Sequence, residues 1–200
     1  MTDPAAPAAA VSATDAFNYL SVLLSIILGL AITQVLKGFR GLALSRARVV
    51  VYWPTIALSI LVLVAAVQMW WSMFGMRDIQ VWTFAKFAIV LLQITTFYLL
   101  AGLVLPDFFG EQPVALRDHY YAHHRLFFGL FVMTLVVSLL KDVVLSGHMT
   151  DNINLGFHCM FIAMSLAGAW SAREWLHKSI CIAGLVGFAA YIVTLFRELR

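Results

Sequence analysis

Apolar residues fill this chain in long runs, and most polar residues fall between the runs. A hydrocarbon core about 30 Å thick is crossed by a helix of about 20 apolar residues. Six runs are long enough: 17–36, 49–76, 81–105, 126–147, 152–172 and 179–196. The first two hold no Lys, Arg, Asp or Glu, and the third holds only Lys86. The pattern predicts an all-α, polytopic integral membrane protein, a six-transmembrane-helix bundle. Residues 1–16, rich in Pro and Ala, hold Asp3 and Asp15 but no Lys or Arg. They lack the basic start of a signal peptide and read as a disordered N-terminal tail.

The fourth run contains the least expected local pattern, "LVVSLLKDVVLSGHM" at 135–149. Its uncharged part, 126–140, is 15 residues, and at about 1.5 Å per residue it is too short to cross. The helix is therefore expected to continue through Lys141 and Asp142, which then sit about one turn inside a membrane boundary. Lysine can snorkel its ammonium to the headgroups. Asp142 reaches less far and needs a partner. The connection before this run, "PDFFGEQPVALRDHYYAHHR" at 106–125, is the longest. Pro113 is suited to a helix start, and Leu116, Tyr120 and His123 would share one face. A short interfacial helix between spans three and four is expected there.

Composition agrees with the pattern: 62% of residues are hydrophobic and 12% charged, against nearly half and about a quarter in soluble domains. The formal charge of +3 is scattered. With no basic stripe interleaved with aromatics, nucleic acid is not an expected partner. Trp and Tyr prefer the headgroup level, and "VYWP", "MWWSMF", Trp82, Trp170 and Trp175 fall at the predicted ends. Lys37, Arg40, Arg46, Arg48, Arg117, Arg125, Arg173 and Lys178 share one side, while Arg77, Lys86, Lys141, Arg197 and Arg200 share the other. The positive-inside rule then places the protein in the cell (inner or plasma) membrane with both termini outside the cytoplasm. Cys159 and Cys181 form no metal-binding or redox pair and fall toward opposite leaflets.

Alternating spans bring the starts of odd spans and the ends of even spans to one face. That face collects Asn18, Gln68, Lys86, Lys141, Asp142, Asn154 and His158. Helical spacing groups them further. Thr134, Ser138 and Asp142 align on span four, Asn154, His158 and Ser165 on span five, and Lys86, Gln93 and Thr96 on span three. Such faces turn away from lipid. Two readings stand: hydrogen bonds that only join helices, or a polar pocket or half-channel open to one face. Ser25, Gly29 and Thr33 on span one, and Gly184 and Gly187 on span six, repeat at helix-packing intervals.

His119 and His123 stand at i, i+4, a spacing that can present two imidazoles to a divalent metal, with Asp107 or Glu111 to complete the site. A haem would need axial ligands facing across the bundle, and only His158 lies deep. No nucleotide, protease or hydrolase motif occurs. The leading expectation is channel-like or carrier-like transport of a small solute, ion or proton, and no cofactor is predicted. A non-catalytic membrane accessory subunit, and a haem- or metal-dependent redox protein, are the alternatives. The expected partners are the lipid bilayer and either a second copy or another membrane protein.

Overall fold

The computed structural model describes residues 13–45, 48–106 and 113–195. Helix α1 (Ala13–Leu44) buries Leu20, Leu24, Leu28, Ala31 and Val35, a stripe spaced by three and four residues. This stripe packs mainly on α3 (Phe84–Leu103). The opposite side exposes Val22, Ile26 and Leu30. Large exposed apolar side chains recur on every helix, which is the surface that acyl chains cover.

Strand β1 (Val49–Val50) precedes α2 (Trp53–Ser72), whose first turn accepts Pro54 because no amide donor is needed there. A 3₁₀ segment, Met73–Asp78, prolongs α2. Thr83 caps α3 by accepting the Lys86 amide N–H at 3.3 Å. Strand β2 (Val114–Ala115) leads into α4 (Leu116–Ser146). Gly147 stops α4 in the left-handed region at φ 78° and donates to the Val143 carbonyl at 2.9 Å, a conformation that favours glycine. Helices α5 (Asn152–Trp170) and α6 (Glu174–Leu195) complete the chain. All six α-helices are long and apolar enough to cross a membrane. The protein is an all-α bundle of six membrane-length helices.

The interfacial helix expected between spans three and four is not present among the described residues. Val114 and Ala115 instead pair in parallel with Val49 and Val50. Residues 116–125 form the first turns of α4 itself. No Gly or Pro falls between Leu116 and Leu126, so nothing interrupts the backbone ladder and one helix of 31 residues forms. At about 1.5 Å per residue it is about 46 Å long, well beyond the hydrocarbon thickness. Asp107 and Glu111, and residues 1–12 of the expected tail, lie outside the described residues. Helix α1 extends past the 17–36 run at both ends.

Candidate functional site

Five helices meet around a cavity of about 80 Å³ at the level where even spans end and odd spans begin. Helix α2 contributes Gln68, α3 Gln93, α4 Thr134 and Ser138, α5 His158, and α6 Tyr191. The remaining wall is apolar and includes Leu61, Phe97, Phe131, Phe161 and Phe188. About 10–15 Å³ suffices for one water, so the space holds several. Gln93, Thr134 and His158 are buried.

Local backbone contacts fix the polar side chains. His158 Nδ1–H donates to the Asn154 carbonyl at 2.9 Å. A carbonyl only accepts, so the neutral ring keeps its lone pair on Nε2. Thr134 donates to the Leu130 carbonyl at 2.9 Å and lies 3.3 Å from the Thr96 hydroxyl, joining α4 to α3 beside the cavity. Thr96 in turn donates to the Gln93 carbonyl at 2.8 Å.

The other expected members of the cluster lie outside this lining. Asp142 is on the same stripe of α4, one turn beyond Ser138, and its carboxylate is 3.5 Å from the Lys141 ammonium. The two side chains are only 25% and 16% exposed. Asn154 stands one turn from His158; its amide donates to Thr150, and its Oδ1 is buried with no hydrogen-bond partner. Lys86 donates to the Val81 carbonyl at 3.1 Å, at the start of its own helix. Asn18 is exposed on α1, a helix absent from the lining.

Of the expected packing residues, Gly184 is buried beside Leu61 and Met164, and Gly187 faces Met160 and Phe161. Ser25, Gly29 and Thr33 are exposed, and nothing approaches the Gly29 Cβ position within 4 Å. Among the described residues that stripe stays exposed.

A second polar group occupies the opposite end of the bundle. Tyr120 and His177 are 2.8 Å apart, hydroxyl to Nδ1. His177 Nε2–H donates to the Ser171 carbonyl at 2.6 Å, so Nδ1 of the neutral ring accepts from Tyr120. The His124 and His177 rings are 5.5 Å apart, edge to face. The Tyr52 and Tyr121 hydroxyls meet at 3.2 Å; burial first, and this hydrogen bond next, hold the Tyr52 phenol above its ordinary pKa. Outside them Glu174 binds Arg117 at 3.0 Å and Lys178 at 2.8 Å. Sequence reading missed this group because it assigned residues 116–125 to a separate helix. Taken as one helix, Tyr120, His124, Phe127, Phe131, Thr134 and Ser138 form a continuous stripe.

His119 and His123 do come together, with ring centroids 4.6 Å apart. Each spends one ring N–H on a backbone carbonyl, Leu103 at 3.1 Å and His119 at 3.0 Å respectively. No third metal-ligating side chain joins them among the described residues. His158 and His177, both buried, stand at opposite ends of the bundle, which does not fit a pair of haem ligands.

Fold and site together define a bundle of membrane-length helices with a mainly apolar cavity into which hydrogen-bonding side chains of five helices converge. No family model, curated protein or solved structure matches the chain.

Proposed function

We propose that this protein is a small channel-like or carrier-like membrane protein that passes a small solute, ion or proton through the Gln68/Gln93/Ser138/His158 cavity. The supporting observation is the convergence of hydrogen-bonding side chains from five helices on one cavity inside a bundle of membrane-length helices. Hydrogen bonds between two helices would suffice as glue; unfilled space with hydrogen-bonding groups in a largely apolar wall is what a passing solute needs. Helix α5 supplies the His158 acceptor, and the two glutamines supply both donors and acceptors. The Lys141–Asp142 pair lies one turn outside and leaves the lining itself without a formal charge. We place the protein in the cell membrane with both termini outside the cytoplasm, on the balance of Lys and Arg between its loops.

The test is flux of small solutes and protons in vesicles holding the purified protein. His158→Phe and Gln93→Leu are expected to abolish most of the flux, while Gly29→Ala leaves it intact. Wild-type flux indistinguishable from protein-free vesicles would reject the reading. One observation favours a second reading, as an accessory subunit or homo-oligomer: the exposed Ser25, Gly29 and Thr33 face, which could meet another membrane helix. Native mass spectrometry from mild detergent decides that point, and a strictly monomeric, partner-free protein removes it.

A further inference from the structure

The polar cavity does not stand alone. A second cavity, of about 30 Å³, lies next to it along the bundle axis. The two share Leu61, Phe131, Phe161 and Phe188 in their walls. A third, of about 10 Å³, follows at the opposite end and shares Leu58 and Phe127 with the second. Its lining includes Thr55, His119, Tyr120, His123 and His124. The order is the same on every helix that lines more than one cavity. On α2 it runs Thr55, Leu58, Leu61, Gln68; on α4 it runs His124, Phe127, Phe131, Ser138. One layer of side chains therefore separates each cavity from the next, and the series traverses the bundle.

Polarity changes along this series. Both ends offer hydrogen-bonding groups. The middle is walled by aromatic and aliphatic side chains, and its one hydroxyl, Ser165, is already donated to the Phe161 carbonyl at 2.7 Å. An apolar cavity of this kind stays dry. An ion would have to shed its hydration there and would find no opposite charge and only the Ser165 hydroxyl oxygen to replace it. A small neutral molecule loses only a few hydrogen bonds, and recovers them at either end.

Resting on the transport reading above, we propose that the three cavities are stations of one transbilayer path. Phe131, Phe161 and Phe188 form its gate, and the path selects an uncharged, hydrogen-bonding solute of a few heavy atoms over ions. Rotation of these rings, which line both neighbouring cavities, joins the polar station to the middle one. Thr55, Tyr120 and His124 then receive the solute at the far mouth. The lining itself sets the class: glutamine amides, hydroxyls and imidazoles match amides, small polyols or water.

The experiment uses the full chain in liposomes. Urea, glycerol and water permeation are followed by stopped-flow light scattering. Proton and potassium leak are followed with an entrapped pH dye and a voltage-sensitive dye. Wild type is expected to raise permeation of at least one neutral probe several-fold over protein-free vesicles, with no added ion leak. Phe161→Ser and Phe188→Ser, which place hydroxyls in the gate, are expected to open a proton or potassium leak. Wild-type ion flux with no neutral flux would overturn the selectivity while leaving transport intact. Folded serine variants that stay ion-tight with neutral flux unchanged would overturn the gate. No flux of any probe would overturn this proposal together with the transport reading.

Discussion

His177 shows how a polar residue is kept at the end of a membrane bundle. Both ring nitrogens are engaged, one as donor to the Ser171 carbonyl and the other as acceptor from Tyr120. Both residues are buried, so removing one partner leaves the other unsatisfied, at a cost of about 1–3 kcal/mol. Tyr120→Phe and His177→Phe should each destabilise the protein by that order. The double variant should lose less than the sum, by about 0.5–3 kcal/mol, because the second change removes the group the first one orphaned. Thermal unfolding of the four proteins in detergent measures the cycle, and strict additivity would show that the 2.8 Å contact carries no energy. Asp142 is the contrasting case. Its carboxylate is answered by the adjacent Lys141 at 3.5 Å. Its sequence position required a partner, but did not reveal that it would stop one turn short of the cavity lining.

At the scale of the element, small residues mean different things on different helices. A Cβ at Gly168 on α5 would lie 2.8 Å from the buried Phe128 ring on α4, so the ring or the helix pair must shift. Gly168→Ala should therefore cost about 1–3 kcal/mol, as overpacking does. Gly29 has open space around it, and Gly29→Ala should be neutral or slightly stabilising, because alanine is the better helix former by about 1 kcal/mol. Comparing the unfolding temperatures of the two variants checks the contrast; equal losses would mean that α1 is packed against something outside this chain. Spacing alone marked Gly29 for helix packing, yet its Cβ position is open among the described residues. Periodicity identifies a face of a helix but not what the face meets. The same limit explains the connection at 106–125. Its length and its proline suggested a separate helix, whereas an uninterrupted ladder into α4 and a two-residue pairing to β1 decided otherwise.

For the whole molecule, six crossings put the Asp118 end of α4 and the His148 turn on opposite sides of the bilayer. On the orientation proposed above, with both termini outside the cytoplasm, the Asp118 side would face the cytoplasm. Both residues are exposed. In a chain carrying Cys159→Ser and Cys181→Ser, His148→Cys should react with a membrane-impermeant maleimide in intact cells. Asp118→Cys should react only after permeabilisation. The reverse pattern would invert the orientation, and labelling of both from outside would break the six-span topology.

The sequence by itself determined the membrane class and the number of long helices. Apolar run length, alternation of direction and helical period are local or countable properties, and lipid enforces them because unpaired backbone cannot be left in hydrocarbon. Only the tertiary structure decided which polar residues meet. Gln68, Gln93, Ser138 and His158 share a cavity, while Asn18, Lys86 and Asn154, equally polar and at similar depth, do not. It also decided that the histidines and tyrosines at the far end form one buried group, and that phenylalanines stand between the two. Those outcomes depend on the rotation of each helix about its axis, which side-chain packing between helices sets and which no single helix records.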